Sequence, residues 1–201
     1  MNFIESVKNR AKENIRTIVL PETMDIRVLK AASMVLDEKI ANIILVGNET
    51  EIKNNNQDLD LNNAQFIDPN NSELTEKFIN ELYELRKNKG MTLEEAKRLL
   101  LEDYMYFACM LVYDGLADGV VSGACHSSAN TLRPSLQIIK TKPGTELVSA
   151  FFLMVVPNCE FGENGVFVFS DCGLNQHPNS DELSEIAIST AESFKALVGK
   201  E

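Results

Sequence analysis

Short apolar segments alternate with amphipathic helical segments along the first 120 residues, and no other feature of the sequence constrains the fold as strongly. Residues 17–20 (TIVL), 41–48 (ANIILVGN) and 64–68 (AQFID) have the composition of strands, and each leads into a turn signal and a helical pattern. Strands that are apolar at nearly every position are typical of a parallel sheet covered by helices on both faces. The sequence therefore predicts an α/β fold with three layers, α/β/α, around a mostly parallel sheet.

Helix-start signatures support the same order of elements. Asp25 is placed to cap a helix after the first strand, and Asn48 and Thr92 are each followed three residues later by a glutamate, Glu51 and Glu95. A polar cap with Glu at the third helical position satisfies backbone N–H groups that a helix start leaves unpaired. The other helices expected in this part of the chain cover residues 72–89 and 103–115.

The pattern changes after residues 140–146 (KTKPGTE), where turn-forming residues are concentrated. Two apolar segments, LVSAFFLMVV and GVFVFSDC, follow, and the polar connection between them fits a hairpin. Asn179 with Glu182 then opens a last helix. We expect a first α/β domain over residues 1–143, without its C-terminal elements, and part of a second α/β domain over residues 144–201.

The charge of the chain restricts its partners. Its 30 Asp and Glu against 19 Lys and Arg give a formal net charge of -11, whereas general nucleic-acid binding needs a basic surface. The N-terminus lacks the apolar core of a signal peptide, and no apolar run reaches the ~18 residues of a membrane-spanning helix. We therefore expect a cytoplasmic protein without nucleic-acid or membrane partners, in which an anionic ligand requires a local positive site.

One segment offers such a site. Residues 119–145, called here the carboxylate-free segment, contain no Asp or Glu but carry Arg133. The segment runs from valines through small residues into a helical pattern, and the unpaired amides at such a strand-turn-helix junction bind phosphate. Ser127, Ser128, Thr131 and Arg133 lie within reach of an anion bound there. The hydroxyl groups are equally suited to capping the helix.

The cysteines and histidines form no recognisable metal or disulfide pattern. The four cysteines are widely spaced, with no CxxC pair: Cys109, Cys125, Cys159 and Cys172. We expect no metal site, and we expect Cys109 to be a small buried hydrophobe. His126, beside the serine-rich turn, is a candidate donor to a ligand or a general acid, with a structural role as the alternative. Neither His126 nor His177 belongs to a recognisable nucleophilic triad.

Taken in order, these segments resemble one enzyme family. ADGVVSGACHSSANTLRPSLQIIKTKPGTELVSAFFLMVVP resembles the central signature of the phosphate acetyltransferases, which interconvert acetyl-CoA and acetyl phosphate. TIVLPETMDIRVLKAA, YELRKNKGMTLEEAKRLL and VFVFSDCGLNQHPNSDELSEIAISTAES are similar to the family's first strand and helix, middle helices, and later strand and helix. The resemblance implies a fold like that of isocitrate and isopropylmalate dehydrogenases and a role in acetate metabolism.

The resemblance also implies roles for individual residues. Arg133 is expected to bind CoA or acetyl phosphate, and Arg86 the phosphates of CoA, with CoA as a substrate and no tightly bound cofactor. His126, Ser127, Ser128 and Thr131 are the further substrate-binding candidates. The family implies direct attack of the CoA thiolate and a homodimeric protein.

The chain departs from the family in two respects. Family members are longer, and the part that carries their proton acceptor would lie beyond Glu201, so no catalytic residue is assigned and the chain is expected to be an N-terminal fragment. Asn130 stands where many relatives carry Asp. We expect this exchange to be tolerated because Asn keeps a side-chain oxygen for helix capping.

Three alternatives remain open from the sequence. A phosphate butyryltransferase differs only in an acyl pocket whose size the sequence does not give. A catalytically incomplete fragment would bind CoA without turnover. A metal-dependent decarboxylating dehydrogenase of related fold needs clustered aspartates for its metal and a nicotinamide site, and residues 119–145 contain no carboxylate and the chain no GxGxxG motif.

Overall fold

The computed structural model describes residues 3–199, and its elements follow the alternating order expected from the sequence. The first half contains α1 (Phe3–Glu13), β1 (Thr17–Leu20), α2 (Ile26–Glu38), β2 (Asn42–Val46), α3 (Glu49–Asn55), β3 (Gln65–Ile67) and α4 (Leu74–Arg86). After a short 3₁₀ helix (Lys87–Lys89) come α5 (Leu93–Glu102), α6 (Tyr104–Tyr113), β4 (Gly119–Val120), α7 (Ser128–Ile138), β5 (Phe151–Val155), β6 (Val166–Ser170) and α8 (Ser180–Val198).

The described residues form two compact units. One unit spans Lys8–Lys140, and the other comprises the residues from Thr141 on together with those before Lys8. The boundary between the two units, between Lys140 and Thr141, therefore lies within the turn-rich segment 140–146.

A four-stranded parallel sheet organises the larger unit. Its strand order is β3-β2-β1-β4, and each neighbouring pair is parallel. β4 is only two residues long, and it lies beside β1 in the register Ile18 with Gly119 and Val19 with Val120. The predicted mixed α/β class with a parallel sheet is confirmed, while the more specific likeness to the dehydrogenases stays a prediction.

The sheet is covered on both faces, which explains why its strands are apolar at consecutive positions. Val19, Ile44 and Val46 pack into a core with α4, α5 and α6. The alternate residues Leu20 and Leu45 pack into a second core with α2 and α3 on the other face. Because successive side chains of a strand point to opposite faces, the run IILV supplies both cores at once.

The predicted helix starts are confirmed where their signals are local. The side chains of Asp25, Asn48, Thr92 and Asp103 each accept a backbone N–H at the start of α2, α3, α5 and α6. Asn179 and Glu182 form a complete capping box at the start of α8. The helix expected over residues 72–89 is shorter, because α4 gives way to a 3₁₀ turn at its C-terminal end.

The smaller unit contains the predicted hairpin. β5 and β6 pair antiparallel, with Phe151 opposite Ser170 and Val155 opposite Val166. α8 packs against β6, where Ile186 and Val166 are buried. Within residues 3–199, no helix combines the length and apolar character needed to cross a membrane.

Candidate functional site

The candidate site lies where the direction of the sheet reverses. From β1 the chain builds outward through β2 to β3, and it then returns to the opposite side of β1 as β4. The loops that follow β1 and β4 therefore leave the same edge of the sheet as neighbours. In open parallel α/β sheets, ligands bind at such a switch point, beyond the carboxyl ends of the strands.

A buried carboxylate from the first loop holds the second loop. Glu22 Oε2 accepts the backbone N–H groups of Gly123 and Ala124, each at 2.9 Å, and Oε1 accepts those of Cys125 and His126, each at 2.8 Å. The side chain of Glu22 is 1% exposed. The carboxylate-free segment is therefore free of carboxylates in sequence but not in space, because the side chain of Glu22 lies inside its turn, 101 to 104 residues from its partners.

These hydrogen bonds keep Glu22 ionised. Burial raises the pKa of a carboxyl group, but the N–H groups of Cys125, Ala124 and His126 and the His126 ring lower that of Glu22 far below its usual range. Gly123 allows the loop to wrap around the carboxylate, because its φ of 113° lies in a region that side chains with a Cβ rarely adopt. The turn is thus an anion site that the chain fills with its own carboxylate.

His126 is oriented by the same carboxylate. Its Nδ1 lies 2.8 Å from Glu22 Oε1, whereas its Nε2 lies 3.6 Å from Asp103 Oδ1. An ionised carboxylate can only accept, so Nδ1 carries a proton and donates it to Glu22. The distance from Nε2 to Asp103 is too long for a hydrogen bond. The ring therefore presents Nε2 toward Asp103 with no direct protein partner at hydrogen-bond distance within residues 3–199.

Two further contacts fix the short strand β4 and its loop. At the start of β4, Asp118 Oδ2 accepts the Thr17 N–H at 2.8 Å, and Oδ1 binds Arg16 Nη1 at 2.9 Å. At its end, Arg27 Nη2 donates to the carbonyl of Ala124 at 2.7 Å. The residue before this two-residue strand is thereby bound to the start of β1, and the loop after the strand is bound to α2.

An open cleft of about 770 Å³ lies beside His126. Its walls come from the loops after β1 and β2, from the junction of α5 with α6, and from the start of α7, through Thr23, Asn48, Asp103, Tyr104, His126 and Asn130. The lining includes the carboxylates of Glu51, Glu102 and Asp103 and no Lys or Arg. The cleft is therefore polar but unsuited to phosphate by its own charge.

The predicted hydroxyl donors differ in their surroundings. Ser127 is the N-cap of α7, and its Oγ accepts the Asn130 N–H at 3.3 Å, so the helix is capped by Ser127 and not by Asn130. Ser128 is exposed in the first turn. Thr131 Oγ1 is buried without a hydrogen-bond partner within residues 3–199. Ser128 is accessible to a ligand, whereas Thr131 Oγ1 is enclosed by protein and Ser127 is used for capping.

The positive charges of the two predicted arginines, Arg86 and Arg133, both affect the pKa of Tyr106. Burial and the charge of Asp103 raise the pKa of Tyr106, while the positive charges of Arg133 and Arg86 oppose this shift. Both guanidinium groups therefore lie within electrostatic range of the Tyr106 hydroxyl, which donates to Gln137 Oε1 at 3.1 Å. Asp103 is thus close to His126 and acts on the same phenol as the arginines.

Among residues 3–199, both arginines lack the carboxylate partners that three other arginines have. Arg16, Arg27 and Arg98 form ion pairs with Asp118, Asp25 and Glu102. Among residues 3–199, neither Arg86 nor Arg133 forms such a pair, and Arg86 Nε is buried without a hydrogen-bond partner. In a chain of net charge -11, two arginines without acidic partners are an unusual local feature.

One group of side chains resembles a metal site in its spacing. Glu22, Cys125 and His126 each place a potential ligand atom within 4.8 Å of the other two. Both oxygens of Glu22 already accept hydrogen bonds, and the His126 nitrogen beside them is protonated. The donor set does not fit a metal ion, and the expectation of no metal site stays a prediction. Cys109 is fully buried, as expected, and burial raises its pKa to about 11.

Sequence reasoning missed Glu22, Asp103 and Tyr106 as parts of the site. Glu22 follows directly after β1, in PETMD, and a carboxylate at the carboxyl end of a buried parallel strand is the signal that was present. Asp103 begins the helix predicted over residues 103–115, and the structure shows that its side chain caps α6. Tyr106 lies in the helix predicted over residues 103–115, and its side chain is buried.

The stabilisation of the fold by the hydrogen bonds to Glu22 should decrease as the pH falls. Because folding lowers the pKa of Glu22, its stabilisation is fully present above the unfolded pKa of about 4.3 and is lost as pH falls toward the folded value. The difference in unfolding free energy between wild type and Glu22→Gln should narrow by about 1.4 kcal/mol per pH unit below about 4.3. Urea unfolding across this pH range measures this difference, and Glu51→Gln is the reference for removing one negative charge. A difference in unfolding free energy that stays constant with pH would contradict the stabilising role of the ionised Glu22.

Comparison with known proteins places the whole chain in one family. The family model described as "Phosphate acetyl/butaryl transferase" matches residues 2–201. The phosphate acetyltransferase of Acetivibrio thermocellus is 56% identical over 199 residues, covering 99% of this chain and 60% of the relative. That of Thermoanaerobacterium thermosaccharolyticum is 53% identical over 201 residues, covering 100% of this chain and 61% of the relative.

Solved structures agree with the sequence relatives. A phosphotransacetylase from Streptococcus pyogenes has a TM-score of 0.88 at 40% identity, over 97% of this chain and 58% of that one. The EutD phosphotransacetylase from Staphylococcus aureus has a TM-score of 0.85 at 38% identity, over 98% of this chain and 58% of that one. The chain thus spans about three fifths of the length of these relatives. It belongs to the phosphate acetyl/butaryl transferase family.

Proposed function

We propose that this chain is the part of a phosphate acetyltransferase that binds CoA and the acyl phosphate. The reaction is the reversible transfer of an acetyl group between CoA and inorganic phosphate. The observation that carries the proposal is the match to one family along the whole chain, at up to 56% identity with phosphate acetyltransferases.

The arginines provide the positive charge that these substrates require. CoA and acetyl phosphate are both anionic, and the net charge of -11 would otherwise repel them. Arg86 and Arg133 are free of acidic partners among residues 3–199, and both act on Tyr106. A guanidinium group matches phosphate oxygens with two parallel N–H donors. We therefore assign phosphate binding to this pair, supported by the exposed Ser128 hydroxyl.

The chemical step needs no covalent intermediate on the protein. The CoA sulfur, as thiolate, forms a bond to the acetyl carbon, and the bond from that carbon to the phosphate oxygen breaks. The phosphate leaves with the electron pair, and a tetrahedral oxyanion forms between these events. The Ser128 hydroxyl is a candidate donor to this oxyanion. In the Nδ1–H form, His126 Nε2 carries no proton, so it faces the cleft as a hydrogen-bond acceptor and not as the donor or general acid expected from the sequence. Cys159 is given no nucleophilic role.

Further properties extend this proposal to the whole enzyme. We infer that CoA is used as a substrate, that no cofactor is tightly bound, and that the protein works in the cytoplasm as a homodimer. Two narrower alternatives are a butyryl-transferring enzyme, which the family description includes, and a fragment that binds CoA without turnover.

CoA binding should depend on Arg133. Calorimetric titration of CoA into Arg133→Ala should give an affinity lower by roughly tenfold or more, because a charge-assisted contact to phosphate is removed. Arg98→Ala is the matched control, since Arg98 is paired with Glu102 and should leave the affinity unchanged. Equal CoA affinity in Arg133→Ala and wild type would refute the assignment.

Acetyl transfer should be preferred over butyryl transfer. Release of CoA thiol from acetyl-CoA and from butyryl-CoA, each with phosphate present, can be followed with a thiol reagent. We expect faster release from acetyl-CoA. Faster release from butyryl-CoA would favour the butyryltransferase alternative, and tight CoA binding without thiol release from either substrate would favour the binding fragment.

A further inference from the structure

We infer that Glu22 is a positioning residue, which holds the loop 122–127 closed and fixes His126 in the Nδ1–H tautomer, so that Nε2 is presented to the cleft. Glu22 itself is 1% exposed and does not line the cleft, so its effect on a ligand acts through the loop and the imidazole. The role of Nε2 toward a substrate rests on the proposed function, whereas the tautomer does not.

The distances on the two sides of the ring decide the tautomer. Nδ1 and Glu22 Oε1 are 2.8 Å apart, a normal hydrogen bond, whereas Nε2 and Asp103 Oδ1 are 3.6 Å apart. The Asp103 oxygen also accepts the Met105 N–H at 3.0 Å as the cap of α6. Glu22 therefore determines which nitrogen carries the proton, and Asp103 does not.

The groups around the ring leave no competing partner for Nδ1. On the loop side, the amides of Cys125 and His126 also donate to Glu22 Oε1 and cannot accept a proton. Arg27, at the start of α2, is engaged by Asp25 and the Ala124 carbonyl. The carboxylate is thus the one acceptor to which Nδ1–H is directed among residues 3–199.

The two oxygens of Glu22 have separable tasks. Oε2 receives the amides of Gly123 and Ala124, whereas Oε1 receives the amides of Cys125 and His126 and the imidazole. A glutamine at this position offers one oxygen and one NH₂ group. Its oxygen is expected to take the side with three donors, which places the NH₂ group against the Gly123 and Ala124 amides.

Nitrogen-15 NMR of the histidine rings tests the inference without any ligand. The chain has two histidines, and His177→Gln, at an exposed position of the smaller unit, assigns the signals. At about pH 9, where an ordinary imidazole is neutral, we expect His126 to be Nδ1–H, the minor form of free imidazole side chains in water. Asp103→Asn should leave this tautomer unchanged, because Asp103 is too far from Nε2 for a hydrogen bond. Asn is the chosen replacement because it can still cap α6.

Variants of Glu22 separate its two tasks. In Glu22→Gln the Gly123 and Ala124 amides should exchange with solvent roughly tenfold or more faster, while His126 stays Nδ1–H. In Glu22→Ala the ring should revert to the Nε2–H form. Glu51→Gln, which removes a carboxylate from the same cleft, should change neither signal.

An Nε2–H ring in the wild type overturns the inference, whether or not the Glu22 variants fold. A tautomer that changes in Asp103→Asn also overturns it. The outcome is distinguishable from failure of the proposed function: unchanged CoA affinity in Arg133→Ala refutes phosphate binding by that residue but leaves the tautomer measurement intact.

Discussion

The candidate site depends on one buried carboxylate that the chain places inside a loop of backbone amides. Glu22 satisfies four N–H groups that follow β4, and it does so from the loop after β1. A strand of two residues gives such a loop little support of its own. Contacts at both ends hold β4 beside β1. Asp118 binds Thr17 and Arg16 before the strand. Glu22, in the loop after β1, binds the amides that follow the strand.

The backbone amides and the side chains of the site therefore have different roles. The turn amides Gly123–His126 are used internally, so an external phosphate has to be bound by side chains instead. Arg86 and Arg133 have no acidic partner among residues 3–199 and act on a common neighbour, Tyr106. The cleft beside His126 carries carboxylates and amides and no cation. Anion binding and the polar cleft are thus neighbouring regions with different chemistry, and Asp103 is close to both.

The sequence predicted the features that depend on residues near one another in the chain. Asn179 and Glu182 lie three residues apart, and the capping box that they form is present. The apolar run IILV predicted a sheet buried on both faces because each side chain of a strand has a fixed face. Glu22 could not be found in this way, since its partners lie 101 to 104 residues later. The charge pattern of residues 119–145 identified the right segment but not the carboxylate that fills its turn.

A crystal structure of the chain with CoA bound would test the central claim most directly, namely that the turn amides belong to Glu22 and the phosphates to the arginines. We predict CoA phosphates within hydrogen-bond distance of Arg133 and Arg86, with all four hydrogen bonds from Gly123–His126 to Glu22 retained. A phosphate bound to those four amides, with Glu22 displaced from the loop, would contradict it.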